Sequence, residues 1–282
     1  MATTAVIAGQ GELPGLVAQG ARAQGRKVLG IGLRRQYSED FPSHCDVFVE
    51  AGFMQPGRWI KAVRRYGAED AVMIGRVSKG LMHAKNRILW MAREFPDLYT
   101  LNLWYRRLRH DHRSSVLLTT LADDLALRGL LLVDSTTYLN EHLAEVGVQT
   151  QTQPSAAAEA AIAFGWPLLV HASSMHIGQA MAVREGDVIS VEAVEGTDRM
   201  LKRTGELCPR GGWTFLKTAA PDHDMRSDVP TIGVQTIHNA SAAGCTCIAL
   251  GAGRVILADK PAVIAAADEA KIAIVGIDSS PA

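Results

Sequence analysis

Cysteine is scarce in this chain of 282 residues: there are four, Cys45, Cys208, Cys245 and Cys247. The C-x-C pair has no nearby partners and is not a zinc-site spacing, and four thiols in a chain this long do not make a disulfide framework. Buried, reduced thiols in a cytoplasmic protein are expected. Net charge is absent too. Lys and Arg total 29, as do Asp and Glu, so the chain lacks the electrostatic footprint of a general nucleic-acid binder. No apolar run approaches the roughly 18 residues of a membrane span. The opening MATTAVIAG has neither a basic leader nor a cleavage site, so a first strand is expected there and not a signal peptide. Also missing are H-E-x-x-H, G-x-S-x-G and a Walker G-K-S/T, which disfavours zinc-protease, serine-hydrolase and P-loop chemistry.

What is present is a core's worth of apolar residues, 48% of the chain, arranged in alternating patterns. Thr4–Ala8, Lys27–Leu33, Asp46–Ala51 and Ala71–Gly75 read as short buried strands. Helical patterns run to about Gln24 and over Pro56–Tyr66, with proline at a helix start. Short loops between alternating elements imply parallel βαβ units. A long helical region follows, rich in Lys79, Lys85, Arg87, Arg93, Arg106, Arg107, Arg109 and Arg113, and Val116–Leu127 continues as an amphipathic helix. The polar run Asp134–Thr137 marks the crossing into a second half. There, Ser155–Phe164 has helix composition, and Pro167 should interrupt or restart it. Ala180–Arg184 and Val188–Val194 flank Glu185-Gly186-Asp187 as a hairpin. Thr214–Thr218, Cys247–Leu250, Val255–Leu257 and Ile272–Ile277 follow as strands, with helices over Pro230–Ala243 and Pro261–Ala270. The fold class expected is α/β: an N-terminal Rossmann-like parallel-sheet domain, residues 1–136, and a C-terminal α/β domain, residues 137–282.

Four places carry candidate chemistry. Gly9-Gln10-Gly11 lies between the first strand and a helix, where backbone amides can face a phosphate. Pro14 stands where a dinucleotide fingerprint needs its third glycine, so a tight turn and a ligand loop both fit the spacing, and an oxidoreductase is disfavoured. Gly75-Arg76-Val77-Ser78-Lys79 follows a buried strand, the usual position for a ligand in an open α/β sheet; a solvated basic loop is the alternative. Glu195-Gly196-Thr197-Asp198 joins a strand to a helix. Thr197 or Asp198 can cap that helix, and Glu195 with Asp198 offers oxygen ligands of the kind Mg²⁺ takes. Lys217 stands inside an apolar strand, where an unpaired charge is costly. It precedes Asp224-Met225-Arg226-Ser227-Asp228-Val229-Pro230-Thr231. Arg226 can fork phosphate oxygens, Asp224 and Asp228 can hold a metal or activate water, and Asp228 is alternatively the cap of a Pro230 helix.

Taken together, IAGQGELP (7–14), IGRVSK (74–79), DHRSSVLL (111–118), VDSTTYL (133–139), IGQAMAVREG (177–186), VEAVEGTDRML (191–201), RGGWTFLK (210–217), DMRSDVPTIGVQTI (224–237) and AVIAAAD (262–268) resemble the LpxI-type UDP-2,3-diacylglucosamine pyrophosphatases. The match runs in order along nearly the whole chain. The resemblance implies hydrolysis of a nucleotide-lipid diphosphate to UMP and 2,3-diacylglucosamine 1-phosphate, a lipid A precursor. It also implies a divalent cofactor, Mg²⁺ or Mn²⁺, and a homodimer that binds substrate between its domains; the basic stretch from Lys79 to Arg113 separately suggests peripheral contact of a cytoplasmic protein with the inner membrane. The family's essential aspartate matches Asp228. The catalytic candidates are thus Asp228, Arg226 and Lys217. The substrate-binding candidates are Gly9, Gln10, Gly11, Arg76, Ser78, Gly196, Thr197 and Thr231, and the metal candidates are Asp228, Asp224, Glu195 and Asp198. The chain departs from the family pattern at Gln10 (commonly Gly), His176 (commonly Asp) and Ala220-Pro221-Asp222-His223 (commonly Lys-Pro-x-Gln). A protein of the same fold that binds sugar nucleotides or lipid phosphates without turnover, or with altered specificity, is the alternative function.

Overall fold

A computed structural model describes residues 1–77, 95–108 and 114–278. Ser78, Lys79, Lys85, Arg87, Arg93, Arg109 and Arg113 lie outside the described residues. The chain divides into two compact units, one of Met1–Leu139 with Asp224–Asp228, the other of Asn140–His223 with Val229–Ala282.

The first unit is built on four parallel strands: β1 (Thr3–Ala8), β2 (Lys27–Leu33), β3 (Val47–Ala51) and β4 (Ala68–Ile74), in the order β3-β2-β1-β4. Burial on both faces explains the nearly unbroken apolar runs of β1 and β2. Helix α1 (Leu13–Ala23) has proline in its first turn, and α2 (Pro56–Tyr66) starts on proline and stops at Gly67, whose φ of 65° suits a left-handed cap. Trp59, Ile60 and Val63 of α2 pack with Ile7, Leu29 and Ile31. Leu125 of the helix α4 (Ser114–Leu127) joins that core, and the short α3 (Leu98–Leu103) precedes it. The strand order reverses direction between β1 and β4. An open parallel sheet of this kind presents its ligand crevice at the carboxyl ends of the strands on either side of that switch.

The second unit has a six-stranded mixed sheet in the order β5-β12-β10-β8-β6-β7. Its strands are β5 (Gly147–Val148), β6 (Ala180–Arg184), β7 (Asp187–Val191), β8 (Trp213–Lys217), β10 (Cys245–Gly251) and β12 (Ala273–Ile277). Strands β8, β10 and β12 are parallel, and β6 runs antiparallel to both β7 and β8. The β6–β7 hairpin turns on Glu185 and Gly186, with φ of 52° and 80°, as a two-residue hairpin loop requires. Helices α6 (Thr197–Leu207), α7 (Val234–Ala242) and α8 (Lys260–Glu269) complete the unit with α5 (Ala156–Ser174). Trp213, Phe215, Ile237, Ile248 and Val263 form its main core.

Two expectations fail here. Pro167 does not interrupt the helix: α5 runs unbroken through it. Ala161, Leu169 and Ala172 bury themselves on Met181, Val183, Leu216 and Ala249, and this packing outweighs one lost backbone hydrogen bond. Gly165 permits the close approach, because a Cβ there would meet Leu216 and Val183 side chains at 2.6 and 2.7 Å. The helix expected from Pro230 starts instead at Val234, with Gly233 as its N-cap. Thr231–Ile232 forms strand β9, which pairs with β11 (Ile256–Leu257), and Pro230 O accepts from Ile256 N–H at 2.9 Å. Asp228 is therefore not a cap of that helix.

Candidate active site

In the first unit the loops after β1 and β4 are tied together. Gly9 N–H donates to Ile74 O at 2.8 Å, and Gln10 and Arg76 exchange backbone hydrogen bonds at 2.9 and 2.8 Å. A Cβ on Gly9 would lie 2.7 Å from Gly75 C and 2.8 Å from Arg76 O. Only glycine fits that crossing. Gly11, at φ 100°, donates its N–H to Ser38 Oγ at 2.9 Å, and Ser38 returns a bond to Gly11 O at 3.0 Å. Gln10, Gly11 and Arg76 are exposed and stand at the switch point of the sheet. The candidates Gly9, Gln10, Gly11 and Arg76 are thus brought together by the crossing of Gly9 over Gly75 and by the Gln10–Arg76 backbone exchange.

The same unit contains Asp224–Asp228, a five-residue return of the chain from the C-terminal half. Ser135 N–H donates to Met225 O at 2.9 Å. Arg226 forks Asp224 through Nε–Oδ1 at 2.9 Å and Nη2–Oδ2 at 2.7 Å, and Arg226 N–H donates to Asp224 Oδ1 at 3.1 Å. Arg226 Nη2 also reaches Asp123 Oδ1 on α4 at 2.9 Å. The Arg226 side-chain bonds hold the Asp224 carboxyl below the usual carboxylate range, and Asp224 in turn pushes the guanidinium pKa up. In this conformation Arg226 is a clip on two carboxylates, whereas the sequence suggested a clamp on phosphate. Asp228 follows, exposed, with φ of 55°. A non-glycine residue held in that region is strained by the order of 1 kcal/mol, and such strain persists where surrounding structure imposes it.

In the second unit Lys217 ends β8 and is 3% exposed. Its charge is met by two partners. Nζ donates to Thr197 Oγ1 at 2.8 Å and reaches Glu192 Oε2 at 3.4 Å, while Thr197 Oγ1 donates to Glu192 Oε1 at 3.0 Å. Gly196, at φ 82°, is the N-cap of α6 and swings Thr197 under the lysine. Glu195 is engaged elsewhere: Oε2 accepts from Ala193 N–H at 3.1 Å, and Oε1 pairs with Arg203. Its own backbone N–H, aided by Arg203 and Ala193, holds the Glu195 carboxyl below its ordinary value. Asp198, exposed in the first turn of α6, accepts from Asn239 Nδ2 at 2.9 Å. Thr231 Oγ1 donates to Val229 O at 3.1 Å.

The fourteen candidates therefore fall into separate clusters. Gly9, Gln10, Gly11 and Arg76, and the Asp224–Asp228 segment, are in the first unit; Lys217, Gly196 and Thr197, then Glu195, Asp198 and Thr231, are in the second. Ser78 lies outside the described residues. Among the described residues no three His, Cys, Asp or Glu side chains gather as a metal cage. Mg²⁺ bound through one or two carboxylates and substrate phosphates needs no such cage. Both Asp224 oxygens serve Arg226, the Glu195 oxygens serve Arg203 and Ala193, and Asp198 accepts from Asn239; of the four, Asp228 and Asp198 are the more exposed. Sequence reasoning missed Glu192, Asp123 and Arg203. For Glu192 a signal existed: a lysine inside a buried strand demands a counter-charge.

A family model described as the LpxI N-terminal domain matches residues 3–142, and one described as the LpxI C-terminal domain matches 145–275. The chain belongs to the LpxI family. It is 30% identical over 280 residues to a Caulobacter vibrioides protein named UDP-2,3-diacylglucosamine pyrophosphatase LpxI, covering 97% of this chain and 96% of that one. Among solved structures, the biotin carboxylase domain of Hydrogenobacter thermophilus 2-oxoglutarate carboxylase is 10% identical, with a TM-score of 0.25 over 73% of this chain and 41% of that one. Campylobacter jejuni biotin carboxylase is 11% identical, with a TM-score of 0.23 over 73% and 42%. The chain spans about two fifths of those carboxylase structures, and superpositions this loose do not establish a shared fold. No described helix is long and apolar enough to cross a membrane.

Proposed function

We propose that this LpxI-family chain hydrolyses the diphosphate of UDP-2,3-diacylglucosamine to UMP and 2,3-diacylglucosamine 1-phosphate, a step of lipid A biosynthesis. The observation that carries this reading is Asp228: an exposed carboxylate in the left-handed region, in the block that the family resemblance marks as essential, on a segment clipped by Arg226. An exposed carboxylate can orient or deprotonate a water for attack on phosphorus. The glycine loop at the β1–β4 switch, its own amides bonded within the protein, presents the exposed Arg76 side chain to phosphate oxygens. Lys217, fixed by Thr197 and Glu192, supplies positive charge at the head of α6, whose N-terminus itself favours anions.

The reading includes Mg²⁺, or Mn²⁺, held by Asp228 with substrate phosphate oxygens. Such an ion would neutralise diphosphate charge and lower the pKa of a bound water. It also includes a homodimer acting in the cytoplasm with peripheral contact to the inner membrane, where a diacylated substrate resides. The deciding experiment incubates purified protein with UDP-2,3-diacylglucosamine, with and without Mg²⁺, and reads UMP release. Metal-stimulated UMP release supports the reading. Tight substrate binding without UMP in either condition would replace it with the binding-protein alternative.

A further inference from the structure

Residues 95–107 expose a concentration of apolar surface. Phe95 is 71% exposed, Leu98 85%, Leu101 48%, Trp104 50% and Tyr105 64%. This is not the careless edge of a poorly packed helix. Asp97 caps it by accepting from Thr100 N–H at 2.8 Å and also from Gly57 N–H at 2.8 Å. Its other face is anchored: Tyr99 Oη donates to Asp124 at 2.6 Å, and Leu103 is buried. Leu98, Leu101 and Tyr105 stand at i, i+3 and i+7 and so share one outward stripe, and Trp104 flanks it. An outward apolar stripe on an inward-anchored helix marks an interaction surface.

The chemistry of the stripe selects its partner. Trp and Tyr have apolar bodies and polar tips suited to the headgroup level of a bilayer. Exposed Arg106 and Arg107 follow directly, and no acidic residue occurs from 98 to 108. Clustered arginines with no acidic neighbour, beside an apolar stripe, complement anionic lipid headgroups. We infer that the 95–107 face is the surface by which this protein docks on an anionic phospholipid bilayer, apolar side chains entering the interface and Arg106 and Arg107 meeting lipid phosphate. The inference deepens the proposed function, since a bilayer is where a two-chain lipid substrate is found, and it rests on that reading for its purpose but not for its observations.

The test uses the full chain and vesicles of phosphatidylcholine with or without phosphatidylglycerol. Sedimentation measures partitioning, and UMP release is measured separately on detergent-dispersed substrate. Wild type should sediment with the anionic vesicles, and the double variant Leu98→Glu/Trp104→Glu should lose roughly 10-fold or more of that partitioning with an unchanged melting temperature. Arg106→Gln/Arg107→Gln should lose the preference for anionic over neutral vesicles by a similar factor, about 10-fold or more from two basic residues. Turnover in detergent should survive in both variants. Wild type that ignores anionic vesicles would overturn the inference even if it turns over detergent-dispersed substrate. So would vesicle binding that both variants retain, or a wild-type dimer that Leu98→Glu/Trp104→Glu converts to monomer without any vesicle binding, since the stripe would then be covered by a second copy. Vesicle binding lost in the variants, with no turnover by wild type in detergent, would uphold the docking face and sink the pyrophosphatase reading instead.

Discussion

The guanidinium of Arg226 meets the carboxylate of Asp224, two residues earlier, through parallel bonds of 2.9 and 2.7 Å, and the same Nη2 reaches Asp123 at 2.9 Å. One arginine thereby closes a short loop on itself and fastens it to α4. Lysine cannot reproduce a planar fork. Arg226→Lys should lower the melting temperature and slow turnover together, by about 10-fold or more, because the loop that presents Asp228 loosens. Asp123→Asn removes only the more exposed partner and should cost no more than about 1 kcal/mol. Comparable turnover in wild type and Arg226→Lys would show that the clip does not position Asp228.

The same clip has a pH signature. The Asp224 carboxyl is depressed in the folded protein, chiefly by the Arg226 hydrogen bonds. A depressed carboxylate contributes stability that is present above its unfolded value, near 4, and is lost as pH falls through the lower folded value. The melting-temperature advantage of wild type over Asp224→Asn should therefore be constant from neutral pH down to about 4 and shrink below it. An advantage that stays level into stronger acid would mean that ionised Asp224 contributes nothing through this pair.

Lys217 and Glu192 make a sharper stability test because Lys217 is 3% exposed. Glu192→Gln strands a buried charge with Thr197 alone, and about 3 kcal/mol of lost stability is expected. Lys217→Met combined with Glu192→Leu removes both charges and should recover most of that loss. The folded double variant should still turn over at least ~100-fold more slowly if Lys217 faces the diphosphate. Denaturant unfolding of wild type, Glu192→Gln and the double variant, with UMP release on each, separates the roles. Full activity in the double variant would make the pair structural only.

Gly9 and Gly11 sit in one loop yet should respond differently to alanine. At Gly9 the added Cβ meets backbone at 2.7 and 2.8 Å, and at Gly11 it meets nothing, although φ is 100°. Gly9→Ala must push the β1 and β4 loops apart, with about 1–3 kcal/mol of destabilisation and a raised KM. Gly11→Ala carries backbone strain alone, on the order of 1 kcal/mol. Equal KM values in the two variants would detach the glycine crossing from substrate binding.

The parallel sheet of the first unit was legible because buried parallel strands write themselves as unbroken apolar runs, and the β6–β7 hairpin because Glu185-Gly186-Asp187 separates two strand-like runs, although Asp187 belongs to the second strand. Pro167 and Thr231 were not legible. Whether a proline breaks a helix, or a Pro-Thr-Ile run becomes a strand, depends on a partner far away in sequence: the Met181–Leu216 surface in one case and Ile256 in the other. The site shows the same division. Residue types and blocks drew attention to Lys217, Arg226 and Asp228, but Glu192 and Asp123 are 25 and 103 residues from the side chains they hold. Local patterning carries no information about such pairings. The return of Asp224–Asp228 to the first unit was hidden for the same reason.

Asp228 gives the most discriminating prediction, because its backbone and its carboxylate can be tested apart. Its φ of 55° is a conformation in which asparagine is about as comfortable as aspartate and glycine is unstrained. Asp228→Asn should therefore leave the melting temperature nearly unchanged. Asp228→Gly should do so within about 1 kcal/mol, since relief of strain offsets the extra freedom of glycine in the unfolded chain. If the carboxylate orients or deprotonates the attacking water, both variants should bind substrate and release UMP at least ~100-fold more slowly than wild type. If Asp228 is present only because the chain must bend there, glycine should serve at least as well, and Asp228→Gly should be as active as wild type. Thermal melting, substrate binding and UMP release on the three proteins decide between them, and a fully active glycine variant would remove Asp228 from the chemistry.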